Sequence, residues 1–347
     1  MRFVTRAAIA AAAAIVLGAC SASEPSDVGD HAPPAASETP GGGESADREL
    51  ATAEQASRAW RTWEEVYAAG YPGPLTARYT SEASLVIGGA PPIEGAGRIA
   101  RYHELVFAKL AERERAVVAA LARDGEAVTL SRVRGVHRGD ARGAPASGEE
   151  IGRLELARFT VEADGRIARH EVYADALTLA AQLGRRDVEH READAPPEAE
   201  IGFYREGEGD EARALEAVKA LVDALNTRDA EAFADRFAEG GGLIDVAAPS
   251  DAAERQSMAA QLRAMGSAFS DLEMRVKDAW AAGPLAVALG ELAGTHDGTW
   301  RRLDAPASGA RFATPAALLV ATDEGRVERA WLVYDALAIA RAIEATE

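Results

Sequence analysis

The chain has 347 residues, with 56 acidic against 38 basic side chains and a formal net charge of −18 at pH 7. This negative charge argues against nucleic acid as a partner, and against electrostatic attraction to an anionic membrane surface. The single cysteine excludes an intrachain disulfide, and the length is sufficient for two hydrophobic cores of ordinary size.

Residues 1–19 predict a cleaved targeting segment. Arg2 and Arg6 precede an apolar run that is too short to span a bilayer comfortably. The motif LGAC at 17–20 follows and resembles the lipobox of bacterial lipoproteins. The resemblance implies cleavage before Cys20, lipidation of Cys20, and a lipid anchor in the bacterial cell envelope, at the outer membrane in a Gram-negative cell because Ser21 comes next. The alternative is an ordinary secretory signal with a coincidental cysteine.

Residues 20–47 predict a disordered tether that starts at the lipidated cysteine. They hold almost no large apolar side chain, so they cannot bury enough surface to offset the entropy of ordering the chain. Such a tether would hold the folded part of the protein away from the membrane.

Two stretches of the chain repeat one pattern of letters. The segment GVHRGDARGAPASG returns later as GTHDGTWRRLDAPASG. His137 and His296 are separated by 159 positions, and Asp175 and Asp335 by 160. Because this spacing is a domain-sized length, the repeat indicates a duplicated unit, and the paired landmarks are expected to superimpose.

The first unit, residues 48–184, reads as helices followed by strands. A helix is predicted near 48–69, where apolar residues recur every three or four positions, and another near 96–113. A short strand at 83–89 lies between them. Four further strands are predicted before a helical tail that ends at residue 184, at 115–121, 127–137, 151–161 and 167–173.

The second unit, residues 210–347, repeats this order after a charged, proline-containing linker at 185–209. Its helices are predicted near 215–225, 227–237 and 254–269, and its strands at 243–247, 272–280, 284–296, 313–322 and 326–335. Helices first and a run of antiparallel strands afterwards indicate the α+β class.

This order of elements, together with three short motifs, resembles the SnoaL-like polyketide cyclases of the cone-shaped superfamily typified by nuclear transport factor two. The second unit has Gly-Thr-His-Asp-Gly at 294–298, a proline–glycine turn at 306–309, and the pair Trp331 and Asp335. The first unit has the corresponding strand end at 135–139, Asp175, and Gln-Leu-Gly at 182–184, but carries Glu171 in place of the tryptophan.

The resemblance implies a fold of two tandem cone-shaped domains. Each would be a curved antiparallel sheet with about three packed helices and a cavity between sheet and helices. Such folds commonly pair through the outer faces of their sheets, so the two units could form an intramolecular pseudo-dimer.

The same resemblance implies an acid–base site in each unit. In catalytic family members an aspartate in an apolar pocket removes a proton next to a carbonyl while a histidine assists, and the pocket raises the pKa of the aspartate. On this chain the catalytic pairs would be His296 with Asp335 and His137 with Asp175. Alternation along the strands adds residues expected to contact the ligand, namely Trp331, Val333 and Leu292 in the second unit and Tyr173 and Glu171 in the first.

The second unit is the favoured site. Its more apolar wall would raise the pKa of Asp335, whereas Arg169 in the first unit would lower the pKa of Asp175. A structural alternative remains open for all four residues. Each aspartate directly precedes a helical segment and can be its N-cap, and a histidine beside glycine at a strand end can be a hydrogen-bonded structural residue.

Other kinds of chemistry find no support in the sequence. The six histidines are scattered without zinc-ligand spacing, and the chain has neither a phosphate loop nor a nucleophile elbow, so no metal and no cofactor are expected. The sequence predicts a protein that binds, or also converts, a small and mostly apolar carbonyl compound. Conversion would be cyclase-, isomerase- or hydrolase-like. The alternative is a non-catalytic scaffold or protein-interaction module with vestigial cavities.

Overall fold

The computed structural model describes residues 50–70, 72–139, 145–193 and 201–346. The predicted signal peptide, the lipidation site Cys20 and the tether lie outside these residues. Among the helices that are described, none is both long enough and apolar enough to cross a membrane.

The first half of the protein is a seven-stranded sheet with its helices. The helices are α1 (Ala53–Ala68), α2 (Pro72–Leu75), α3 (Ala96–Lys109) and α4 (Ala176–Gln182), with a 3-10 turn at Thr76–Arg78. The strands are β1 (Tyr79–Ile87), β2 (Ile93–Glu94), β3 (Leu110–Arg123), β4 (Glu126–His137), β5 (Glu150–Val161), β6 (Ile167–Ala174) and β7 (Gly202–Arg205). Their order across the sheet is β2-β1-β6-β5-β4-β3-β7.

The second half has the same arrangement with five strands. Its helices are α5 (Glu211–Thr227), α6 (Ala230–Asp235), α7 (Arg255–Ala268) and α8 (Ala336–Glu344). Its strands are β8 (Phe237–Asp245), β9 (Glu273–Ala282), β10 (Leu285–Thr295), β11 (Arg311–Asp323) and β12 (Arg326–Tyr334). Their order is β8-β12-β11-β10-β9, so each half places its first strand beside its last long strand.

These two curved sheets with their helices confirm the predicted α+β class. Neighbouring strands are antiparallel except at three pairs, β1 with β6, β3 with β7, and β8 with β12. In two of these pairs, β1 with β6 and β8 with β12, the first strand of a half lies beside its last long strand and runs in the same direction. The third pair, β3 with β7, adds a short strand at the opposite edge of the first sheet. Strand β7 falls within the predicted linker 185–209, so part of that segment extends the first sheet.

Helix α1 shows how local sequence sets an element's boundary. The Thr52 hydroxyl accepts a hydrogen bond from the Gln55 backbone N–H at 3.3 Å, and the Gln55 side chain accepts one from the Thr52 N–H at 2.7 Å. This capping box begins the helix at Ala53, several residues later than predicted. Trp60, Trp63 and Tyr67 form its buried face, as the spacing predicted.

Three hydrophobic cores hold the protein together. One lies between the sheet and helices of each half, and the third lies between the two sheets. The first sheet contributes to this between-sheet core through residues such as Leu121, Leu130 and Leu156. The second sheet contributes Val287, Leu289, Leu319, Trp331 and Val333. The two sheets therefore bury one face against each other, and only their opposite faces pack on helices.

Candidate functional site

Each of the two predicted catalytic aspartates caps two helices, one in each half of the protein. Asp175 Oδ1 accepts hydrogen bonds from the N–H of Leu177 in α4 at 2.9 Å and of Ala336 in α8 at 3.1 Å. Asp335 Oδ1 accepts from the N–H of Leu337 in α8 at 3.0 Å and of Ala176 in α4 at 3.1 Å. Asp175 Oδ2 also accepts from the N–H of Thr178 at 3.0 Å. Each carboxylate thus bonds the start of its own helix and one amide in the helix of the other half. The structure bears out the N-cap alternative for both residues.

The charged neighbour of Asp175 is Arg302 and not Arg169. The Arg302 guanidinium donates to Asp175 Oδ2 at 3.2 Å and to the Thr178 hydroxyl at 3.0 Å. Arg169 instead pairs with Glu171 at 3.0 Å, so the expected contact of Arg169 with Asp175 was wrong. Burial and the like charge of Asp175 raise the pKa of Asp335.

His296 lies on the other face of the second sheet from Asp335. Its ring packs against Phe269 in the helix-facing core, and its Nδ1 lies 3.0 Å from the Ser308 hydroxyl. Burial lowers the pKa of His296. The small residues before it on β10 pack against helix α5, so that face holds a helix and not a ligand. The expectation that His296 and Asp335 share a cavity is therefore wrong.

Most of the predicted ligand contacts also lie away from any common site. Trp331, Val333 and Tyr173 belong to the between-sheet core, whereas Leu292 lies in the helix-facing core of the second half. Glu171 forms ion pairs with Arg158 at 3.6 Å and with Arg169 at 3.0 Å. Alternation correctly grouped the residues on each strand, but the face of Asp335 is the one that the other sheet covers.

The repeated letters in the sequence have a structural explanation. His137 Nδ1 accepts a hydrogen bond from the Ser147 N–H at 3.2 Å and lies 3.1 Å from the Ser147 hydroxyl. In the second half Ser308, of the same APASG pentamer, places its hydroxyl 3.0 Å from His296 Nδ1, while its N–H donates to the His296 carbonyl at 3.1 Å. The carbonyls of both histidines also accept backbone hydrogen bonds from the glycines that follow those serines. Each repeat therefore closes a loop at a strand end, and the structural alternative for both histidines is supported.

A cavity of about 120 Å³ lies in the first half, between the sheet and helices α1 and α3. Its polar lining includes His103, His137, His170, Arg153 and Glu155. His137 is thus the one predicted catalytic residue that lines it, and Asp175 does not. The apolar lining includes Trp63, Tyr67, Leu85, Tyr102, Ile151 and Val172.

His103 is the most unusual group in this cavity. The residue is 5% exposed, and neither ring nitrogen has a hydrogen-bond partner among the described residues. Its neighbours are aromatic, with ring centroids of Tyr102, Tyr67 and Trp63 at 5.3, 5.6 and 5.8 Å. Burial lowers the pKa of His103 to about 3, so the ring is neutral near neutral pH. A buried polar group without a partner needs an explanation, and a bound molecule supplies one.

His170 completes a short chain of hydrogen bonds beside His103. Trp63 Nε1–H donates to the Tyr79 hydroxyl oxygen at 2.8 Å, and that oxygen lies 2.9 Å from His170 Nδ1. His170 Nε2 is buried and has no partner among the described residues. Burial and the nearby His103 lower the pKa of His170 well below its usual value.

The carboxylate in the cavity wall is already fully engaged. Glu155 pairs with Arg115, and with Arg153 at 3.1 Å, while Arg115 also pairs with Glu64 at 2.6 Å. Burial alone would raise the pKa of Glu155, but the two guanidinium groups outweigh it and bring that pKa to about 2. Glu155 is therefore ionised and a poor proton acceptor.

Sequence reasoning missed the residues that matter most in this cavity. The regular spacing of apolar residues on α1 places Trp63 and Tyr67 on one face of that helix. His103 follows Tyr102 directly, and an adjacent histidine on a helix gave no distinguishing signal. Strand alternation puts His170 on the opposite face of β6 from Glu171, and that opposite face is the one that borders the cavity.

The reciprocal caps predict different outcomes for two substitutions of Asp335. Asp335→Ala removes the acceptor and should lower the free energy of unfolding by about 0.5–2 kcal/mol. Asp335→Asn keeps an acceptor oxygen and removes the repulsion with Asp175, so its effect should be clearly smaller. Urea denaturation at pH 7 measures both. Hydrogen exchange should also speed up in α4 of the Asp335→Ala protein, and unchanged exchange there would contradict the cross-half cap.

The buried neutral histidines predict acid sensitivity. A histidine whose pKa is depressed in the folded state stabilises the fold above its unfolded pKa of 6.5 and progressively less as pH falls below it. For each such histidine, the free energy of unfolding should fall by up to about 1.4 kcal/mol more for every unit by which the pH is lowered. His103→Leu should therefore give a shallower dependence of unfolding free energy on pH between 6.5 and 4.5. Parallel curves for the two proteins would contradict the depressed pKa.

Comparison with known proteins adds a family for part of the chain. Residues 215–343 match the family of SnoaL-like polyketide cyclases. No curated protein matches the chain.

Similar solved structures include three bacterial proteins. A hypothetical protein with a ketosteroid isomerase-like fold from Catenulispora acidiphila DSM 44928, in complex with trimethylamine, is 18% identical, with a TM-score of 0.33, over 37% of this chain and 92% of its own. TsrD from Streptomyces laurentii is 24% identical, with a TM-score of 0.35, over 40% and 99%. An NTF2-like protein from Burkholderia thailandensis E264 is 18% identical, with a TM-score of 0.33, over 38% and 96%. The family match lies entirely in the second half of the chain.

Proposed function

We propose that the first half of the protein binds a small, mostly apolar molecule in its cavity. The observation that carries this proposal is His103, a buried ring with two unpartnered nitrogens that lines a largely aromatic cavity. A concave apolar site with a few convergent polar groups is the usual form of a small-molecule site. The carbonyl compound expected from the sequence remains one candidate within this class.

Binding without turnover fits the geometry better than acid–base conversion. Both aspartates are occupied as helix caps, and the carboxylate in the cavity, Glu155, is held by two arginines. Two buried histidines in the lining, His103 and His170, have depressed pKa values, which make both of them weak proton acceptors near neutral pH. We therefore assign the cavity to binding and not to conversion of the ligand by the His/Asp pairs.

We propose that the second half is a built-in partner for the first, so that the two form an intramolecular pseudo-dimer with domains at 48–184 and 210–347. Two observations support this proposal, the between-sheet core and the reciprocal caps of Asp175 and Asp335. Leu177 of α4 also packs into the helix-facing core of the second half. The second half would then have the scaffold role that the sequence analysis gives as the alternative function of the whole protein.

We also propose that the protein is a lipoprotein of the cell envelope, anchored through Cys20 and a tether to residue 47. The support is the LGAC motif behind a short apolar run. In the native host, Cys20→Ser should move the protein from the membrane fraction to the soluble fraction. The mass of the wild-type mature protein should include acyl chains on Cys20. Wild-type protein of unacylated mass would leave only the ordinary secretory signal.

Filling the cavity should abolish binding. Val133 lines the cavity, so Val133→Phe is expected to remove the space that a small apolar probe needs. Fluorobenzene, followed by its ¹⁹F NMR signal, should bind the wild-type full-length chain and fail to bind this variant. The matched control is Val276→Phe, because Val276 is an exposed valine outside the cavity. Circular dichroism confirms that both variants fold, and equal binding by wild type and Val133→Phe would contradict the proposed site.

A further inference from the structure

We infer that the cavity selects an uncharged molecule of about one ring that carries a hydroxyl or similar oxygen, held by hydrogen bonds to His103 and His170. The inference rests on the proposed function and adds the chemical class of the ligand. It depends on three properties of the site, namely its volume, its free hydrogen-bonding groups and the balance of its charges.

The volume limits the ligand to roughly one ring. The cavity measures about 120 Å³. An engineered protein cavity of about 150 Å³ takes up benzene, so a six-membered ring with a small substituent is near the upper limit here. The tilted and edge-on rings of Trp63 and Tyr67 around His103 present an apolar, aromatic surface to such a ring.

Hydrogen bonding around Tyr79 determines which ring nitrogen of His170 carries the hydrogen. The Tyr79 oxygen accepts from Trp63 Nε1–H, and its own hydrogen then points to His170 Nδ1. The reverse arrangement would leave the Tyr79 hydroxyl hydrogen buried without an acceptor, which costs free energy. His170 therefore carries its hydrogen on Nε2, where no described residue accepts it. The ligand must supply an acceptor to this group.

His103 adds one donor and one acceptor, because a neutral imidazole has one of each. The ring centroids of His103 and His170 are 6.5 Å apart, so one ligand oxygen can lie within hydrogen-bond distance of a nitrogen on each ring. A hydroxyl group matches both rings, since its oxygen accepts from His170 and its hydrogen donates to His103. A purely apolar ligand would leave these groups unpaired.

The charges of the wall are balanced before any ligand arrives. Arg153 pairs with Glu155, and Arg115 pairs with both Glu155 and Glu64. At the outer part of the lining, Arg134 pairs with Glu114 and Glu150, while Lys109 is partly exposed to water. A charged ligand would therefore be desolvated without a free buried counter-ion, which is unfavourable.

The test compares three probes that share a fluorinated ring and differ only in one group. Fluorobenzene is apolar, 4-fluorophenol is neutral with a hydroxyl, and 4-fluorobenzoate is an anion at pH 7. Dissociation constants come from ¹⁹F NMR titrations of the full-length protein with Cys20→Ser, which prevents acylation. We expect 4-fluorophenol to bind most tightly and 4-fluorobenzoate to bind most weakly.

The contribution of His103 is measured with His103→Leu, and His190→Leu is the control because His190 lies outside the cavity lining. His103→Leu should weaken 4-fluorophenol about three- to tenfold, which is the usual effect of one hydrogen bond, and change fluorobenzene binding less than about twofold. The control should change neither. Equal affinity of wild type for fluorobenzene and 4-fluorophenol, or an unchanged 4-fluorophenol affinity in His103→Leu, would overturn the inference and leave the proposed binding function intact.

Two further outcomes are decisive. Tightest binding of 4-fluorobenzoate would assign the cavity to anions and overturn the uncharged class. Failure of all three probes to bind wild type would overturn both the inference and the proposed function. Because His103→Leu could fold poorly, the wild-type protein gives an independent measurement. Its histidine ring ¹⁵N signals should show hydrogen on Nε2 of His170, and 4-fluorophenol should shift the His103 ring signals, whereas a His170 ring with hydrogen on Nδ1 would contradict the inference.

Discussion

The burial of one sheet face against the other is the constraint on which the rest of this structure depends. Because the between-sheet core takes the outer face of each sheet, every site that these sheets can form must lie on the helix-facing side. Trp331 and Val333 illustrate the consequence. The sequence predicts that both contact a ligand, and the structure buries both between the two sheets. The helix-facing side then differs between the halves. On that side the described residues of the second half form one continuous hydrophobic core, whereas those of the first half border a cavity.

Part of this organisation can be predicted from the sequence because it depends on local patterns. The α+β class, the buried face of α1 and the aspartate caps all follow from periodicity or from residues next to a helix. The identity of the covered sheet face does not, because strand alternation groups residues without saying what packs on them. Asp335 shows the limit clearly. The capping of the helix that follows Asp335 can be predicted from the sequence. The hydrogen bond that it accepts from the Ala176 N–H joins positions 159 apart and depends on how the two halves pack together.

The half that matches the family and the half that carries the cavity are different halves. The pentamer APASG begins at position 144 and again at position 305, and at this offset of 161 Arg153 and Glu155 of the first half correspond to Thr314 and Ala316 of the second. Glu155 pairs with Arg115 and with Arg153, and both Arg153 and Glu155 line the cavity, while Ala316 belongs to the helix-facing core of the second half. The proposed binding site therefore lies where the two halves differ in sequence, outside the residues that match the family.

The reciprocal caps of Asp175 and Asp335 also bear on how such a pair can evolve. Two identical subunits must place the same residue at both ends of a shared contact, and their pairing weakens on dilution. Two halves joined in one chain meet at a local concentration fixed by the connection between them, whatever the amount of protein in the cell. Each copy is then free to change separately, so a mutation that opens one cavity need not open the other.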